Sequence, residues 1–240
     1  MDKNFFELIH NDHNYCRNPI NSKEYYNVNQ IYIDNIKKLD NTVIKIIGSY
    51  SPKGKDIKTL QGDQWLNDEI INSYFQLIVM NNVKYTAVDS HTWCDFKEKL
   101  DKNIIKKFRK AHASLNELDL IFIPIHQDGN HWAFVVVFVS DLKIYYYNSI
   151  HPGNKLCHCV CDGIKKFLKS SNYFSGADNF VWHFEYPPTP QQVDGYNCGV
   201  YICQLAKQIS RSQKLLIITE NLPQIRKDMV AEIALGILFD

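Results

Sequence analysis

Leu120-Ile121-Phe122-Ile123-Pro124-Ile125 is a short, almost wholly apolar run, of the kind that forms a strand buried on both faces. Gln127-Asp128-Gly129-Asn130 follows as a turn. His131-Trp132-Ala133-Phe134-Val135-Val136-Val137-Phe138-Val139 reads as a second buried strand, Ser140-Asp141 turns the chain, and residues 142–147 form a third strand ending at Asn148-Ser149. Strands in series joined by tight turns predict an antiparallel central sheet. With a turn at Ser140-Asp141, the hairpin places His131 and Asn148 opposite each other across the ladder. A histidine opening a buried strand just after a Gly-Asn turn projects from a sheet edge. A polar partner facing it turns a lone imidazole into a candidate acid–base pair.

Working outward, residues 190–203 place a thiol where a turn meets an apolar run. Gly195, Tyr196 and Asn197 suit a turn. Val200, Cys203, Leu205, Ala206 and Ile209 then recur at helical spacing. Cys198 therefore opens a helix, where free N–H groups and the positive end of the dipole favour thiolate over thiol. Gln192 lies just upstream, able to fold back as an amide donor. Pro187-Pro188-Thr189-Pro190 forces extended backbone into this turn.

The flanks supply helices. Asn67 or Asp68 is a suitable N-cap for a helix whose apolar face carries Ile70, Ile71, Tyr74, Phe75 and Ile78. Trp65, just before it, is in the usual place of a hydrophobic staple. Residues 43–47 and 181–184 read as strands and residues 85–88 as a weaker one, with a loop at 48–55. Residues 93–112 and 161–169 read as amphipathic helices, and a last helix spans residues 222–238 with Pro223 in its first turn. With no internal repeat and no linker, residues 41–240 read as one α+β domain with helices on a sheet. Residues 1–40 form an N-terminal arm whose role the sequence does not state.

Composition narrows the classes. The chain has 240 residues, 45% of them hydrophobic and 22% charged, with a formal net charge of +1. That balance gives no bulk attraction to nucleic acid or to an anionic membrane. No apolar run reaches the length of a membrane span, and the N-terminus lacks a signal-peptide core. Seven cysteines without a secretory signal imply free thiols in a reducing, intracellular setting. Cys157-His158-Cys159-Val160-Cys161 is too tightly spaced for a zinc site. No phosphate-binding or dinucleotide motif is present, so neither metal nor cofactor is expected. His126 and His183 read as structural or surface residues.

Four ordered motifs carry a family resemblance: Trp65-Leu66-Asn67-Asp68-Glu69-Ile70-Ile71-Asn72, His131-Trp132, Asn148-Ser149, and Pro190-Gln191-Gln192 through Cys198-Gly199. The final helix, from Pro223 to Ile233, is a fifth echo. Over residues 45–238 the chain resembles the cysteine proteases that process SUMO and related ubiquitin-like modifiers, the sentrin-specific or ubiquitin-like-protein-specific proteases. The resemblance implies a papain-like scaffold with a central mixed or antiparallel sheet flanked by helices, and cleavage after the modifier's Gly-Gly. It implies Cys198 as nucleophile, His131 as general base and acid, and Gln192 as oxyanion donor. Trp65 and Trp132 would clamp the diglycine tail, and Asp68 would meet a basic residue of the modifier. The family has an aspartate where this chain has Asn148; an amide can still accept the imidazole Nδ1–H and hold its tautomer. A monomer acting on SUMO and its conjugates is expected, in nucleus or cytoplasm; a viral or host-delivered bacterial origin also fits. The alternatives are a deneddylase or deubiquitinase, an acetyltransferase effector, and an inactive modifier-binding pseudoprotease.

Overall fold

The computed structural model describes residues 35, 39–91, 117–127, 129–150, 162–164 and 181–239. The stretches read as an amphipathic helix at 93–112 and as a Cys-His-Cys cluster at 157–161 lie outside them. So do nearly all of the N-terminal arm and most of the helix read at 161–169.

In order the described elements are α1 (Gly54–Ile57), α2 (Asp68–Val79), β1 (Tyr85–Ala87), β2 (Leu120–Gln127), β3 (His131–Phe138), β4 (Lys143–Tyr147), β5 (His183–Glu185), α3 (Cys198–Ser210) and α4 (Leu222–Leu235). The strands form one sheet in the order β1-β2-β3-β4-β5. The three central strands are antiparallel, as their turns require, while the short outer strands β1 and β5 run parallel to β2 and β4. The sheet is therefore mixed, and the architecture is α+β.

Alternation along the strands sends side chains into two cores. Phe122, Phe134, Val136 and Tyr147 face the helices α2, α3 and α4. Ile121, Ile123, Val135, Val137, Ile144 and Tyr146 pack on the opposite face with Trp182 and Ile164. Burial on both faces explains why β2 and β3 are continuous apolar runs. Phe75 of α2 meets Phe122 and Phe134 edge-on, with ring centroids 6.3 and 6.1 Å apart. Asn67 caps α2, its side chain accepting from the Ile70 N–H at 3.1 Å.

Two expectations fail locally. Residues 43–47 make no strand: Ile46 is exposed, and only the bridges Val43↔Lys53 and Ile47↔Tyr50 form around a tight turn. The run folds back on its own loop, whose end supplies α1, so it never reaches the sheet. The second failure is register. Phe138 pairs with Lys143, so the β3–β4 connection is the longer loop of residues 139–142, with Leu142 at φ 54°. Continuing the register sets Asn148 beside Ala133, two residues short of His131. The slip is even, so Asn148 stays on the His131 face and reaches it diagonally.

Candidate active site

The turn before α3 is built by one carboxylate. Asp194 Oδ1 accepts from the N–H groups of Tyr196 (3.0 Å) and Asn197 (2.8 Å), and Oδ2 accepts from Asn197 Nδ2 (2.8 Å). Burial alone would raise the Asp194 pKa, but these donors and nearby Arg226 hold it below the usual carboxylate range. Buried Arg226 of α4 grips the turn from the other side. Its guanidinium donates to Asn197 Oδ1 (2.9 Å), to the carbonyls of Gln64 (2.9 Å) and Thr59 (3.1 Å), and at longer range to that of Tyr196. One side chain thus ties α4 to the residues preceding both Trp65 and Cys198.

Cys198 is the first residue of α3 and is 1% exposed. Gly199 lets the helix come this close to α2 and the residues before it: a Cβ there would sit 2.9 Å from Leu66 Cβ and 3.2 Å from Ile71 Cδ1. The helix start does not by itself make a thiolate. Burial pushes the Cys198 thiol up and outweighs the lowering by hydrogen bonds from the N–H groups of Trp132, Gly199 and Cys198 itself. This corrects the expectation of a depressed thiol pKa. Desolvation of the charged sulfur exceeds the pull of the helix terminus, so the protein at rest holds a thiol and needs a base.

His131, at the start of β3, places Nε2 2.9 Å from Asn148 Oδ1. Nε2 rather than Nδ1 faces the amide, which reverses the ring orientation expected from the sequence. Its chain neighbour Trp132 reaches the Cys198 sulfur through its backbone N–H. Asn148 is 3% exposed; Oδ1 also accepts from the Ile150 N–H (2.8 Å), and Nδ2 donates to the Tyr146 hydroxyl (3.2 Å).

The proline-rich segment is stitched onto the end of β4. Gln191 Nε2 donates to the Asn148 carbonyl (3.1 Å) and the Gln192 N–H to that of Ser149 (2.9 Å). Gln192 Oε1 accepts from Ser149 Oγ (2.6 Å), and its Nε2 donates to the Asp194 carbonyl (2.7 Å). One amide hydrogen of Gln192 is thus engaged within the turn.

Beside the turn lies a groove of about 410 Å³ lined by Trp65, Leu66, Asp68, His91, His126 and Trp132 among others. Trp65 is 51% exposed, so it is not folded down as a staple; its indole N–H donates to the Gly195 carbonyl (2.8 Å). Trp132 is buried, donates to the Leu66 carbonyl (2.8 Å) and stacks on His126 with centroids 4.4 Å apart. Asp68 holds His91 Nε2 at 2.6 Å. Burial lowers the His126 pKa, with Asp68 opposing and His91 adding to the shift, so this ring is neutral near pH 7.

From the sequence, His126 reads as a structural or surface residue. Its place across the β2–β3 hairpin from Trp132 was the available signal. For His91 and Arg226 no local pattern pointed to the site, because tertiary packing alone brings them there. Among the described residues no group of three or more His, Cys, Asp or Glu could hold a metal ion. No helix among them is long and apolar enough to cross a membrane.

The sequence model described as the Ulp1 protease family, C-terminal catalytic domain, matches residues 64–236. Human sentrin-specific protease 2 is 32% identical over 186 residues, covering 74% of this chain and 31% of that protein. Ubiquitin-like-specific protease 1 of Saccharomyces cerevisiae is 28% identical over 151 residues, covering 62% of this chain and 24% of that protein. The chain thus spans about a third or less of the length of these relatives. A solved structure of the C-terminal Ulp1 protease domain, in complex with Smt3, the yeast orthologue of SUMO, superposes with a TM-score of 0.75. It is 23% identical, with 84% of this chain and 93% of that chain covered, and shares the fold.

Proposed function

The chain belongs to the Ulp1 protease family, and from that premise we propose that it is a cysteine protease cleaving after the C-terminal Gly-Gly of SUMO, in precursors and at isopeptide bonds to lysine. The observation that carries this reading is the 2.9 Å contact of His131 Nε2 with Asn148 Oδ1, together with the approach of the next residue's N–H, that of Trp132, to the Cys198 sulfur. The setting is intracellular, where such conjugates are made.

In this reading His131 Nδ1 takes the Cys198 proton as the sulfur attacks the glycine carbonyl, and Asn148 Oδ1 accepts from Nε2 and stabilises the imidazolium. The Cys198 N–H and the remaining Gln192 amide hydrogen stabilise the oxyanion; losing one such donor costs about 2.7–4 kcal/mol of barrier. The imidazolium then protonates the leaving amine, the C–N bond breaks, and an acyl-thioester remains on Cys198. Water, deprotonated by His131, releases the modifier carboxylate and restores the thiol. The groove between Trp65 and Trp132 takes the extended diglycine, whose lack of Cβ atoms lets it pass where other residues clash. Asp68 meets a basic residue of the modifier after releasing His91.

The test is a panel of SUMO, ubiquitin and neddylation-modifier probes bearing a C-terminal thiol-reactive warhead. SUMO labelling of the wild type and none of Cys198→Ser is the expected result. Labelling by another modifier alone reassigns the substrate, and binding without labelling marks an inert binding module.

A further inference from the structure

Asn148 sits in a hydrogen-bonding frame that the chemistry above leaves unused. Its Nδ2 donates to the Tyr146 hydroxyl, and the same hydroxyl accepts from Gln127 Nε2. Tyr146 is 2% exposed and Gln127 7%. Two amide donors therefore converge on one phenol oxygen. On the other side of the amide, the Ile150 N–H and His131 Nε2 both face Oδ1. Turning the Asn148 amide over would set its NH2 against the Ile150 N–H, donor against donor. The frame so admits one amide orientation, with oxygen toward the imidazole. Its parts come from three strands: Gln127 pairs with His131 across the β2–β3 hairpin, and Tyr146 shares the Asn148 face of the chain leaving β4.

We propose that Tyr146, backed by Gln127, is a positioning residue whose hydroxyl lets a neutral amide orient His131. The proposal rests on the reading of Cys198, His131 and Asn148 as the reacting group. A carboxylate at 148 would have no N–H for Tyr146; an amide needs that acceptor, because a buried NH2 without a partner is costly. Removing the hydroxyl leaves Nδ2 unpaired, so the amide swings and its oxygen departs from Nε2.

The test uses the full chain and SUMO bearing a C-terminal fluorogenic amide. Tyr146→Phe keeps the ring and is expected to lower kcat about tenfold with KM unchanged. The acid limb of its kcat/KM profile moves to lower pH, because the imidazolium loses the oxygen its Nε2–H donates to. In an Asn148→Ala background, Tyr146→Phe has no further effect, since it acts through Asn148. Gln127→Leu lowers kcat about threefold in the same sense, and decides the matter if Tyr146→Phe does not fold. Wild-type kcat and pH profile in Tyr146→Phe, with only the thermal midpoint lowered, overturns the proposal, as does full additivity with Asn148→Ala. The underlying reading fails by a different result: cleavage at the wild-type rate by Cys198→Ser or Asn148→Ala.

Discussion

The side chain of Asn148 decides how far a neutral residue serves behind an imidazole. Asn148→Ala removes the acceptor for His131 Nε2 and for the Ile150 N–H together. Turnover of the SUMO substrate is expected to fall about a hundredfold or more. Asn148→Asp keeps both acceptors and is expected to retain activity. Equal rates for the Ala and Asp variants would remove Asn148 from the reacting group. Gly199 is the other decisive residue. A methyl there meets Leu66 Cβ at 2.9 Å and Ile71 Cδ1 at 3.2 Å, and Leu66 carries the carbonyl that fixes the Trp132 indole. Gly199→Ala is expected to cost about 1–3 kcal/mol by overpacking and to lower kcat/KM as well. Unchanged thermal unfolding would mean that the α2–α3 approach has slack. The positions at this scale are legible in the sequence: a thiol at a helix start and a histidine at a strand end are local patterns. The ring orientation and the raised thiol pKa were not, because both depend on groups packed from elsewhere.

Among the elements, α4 is held to the rest by two buried charged residues. Arg226 reaches Asn197, Gln64 and Thr59, and Glu232 accepts from Tyr74 Oη (2.6 Å), Lys207 Nζ (2.7 Å) and the Phe239 N–H (2.8 Å). Arg226→Met keeps the aliphatic stem and leaves those carbonyls unpaired. A loss of about 3 kcal/mol is expected, read as a thermal midpoint lower by roughly 6–12 °C. Because the same guanidinium steadies the residues before Trp65 and Cys198, kcat falls with it; a variant losing stability alone would confine Arg226 to holding α4. The sequence showed α4 as an element, with Pro223 in its first turn. It did not show that a basic residue of that helix is buried against two loops, since a lone arginine in an amphipathic helix ordinarily faces water.

For the molecule as a whole, the buried acids set its alkaline limit. Burial, followed by the charge of Glu232, holds both Cys203 and Tyr74 well above their ordinary values of 9.0 and 10.0. The folded state therefore keeps protons that the unfolded chain gives up as pH rises past those values. The stabilisation is complete below about pH 9 and is lost progressively above it. The thermal midpoint is expected to fall steadily from pH 9 upward, and Cys203→Ala to flatten the first part of that fall. Identical slopes in the two proteins would show that Cys203 does not contribute. The sequence by itself determined the α+β class, the antiparallel β2–β3–β4 core, the helices α2, α3 and α4, and the placing of His131, Asn148 and Cys198 at the ends of elements, because alternation, helical spacing and turn chemistry are written along the chain. Tertiary structure alone decided that residues 43–47 stay outside the sheet and that the outer strands run parallel. It also decided that the β3–β4 register slips by two and that His131 offers Nε2 to an amide fixed by Tyr146. These depend on which backbone edges are free to pair and on how far desolvation outweighs a helix terminus, and both are settled only when segments distant in sequence meet.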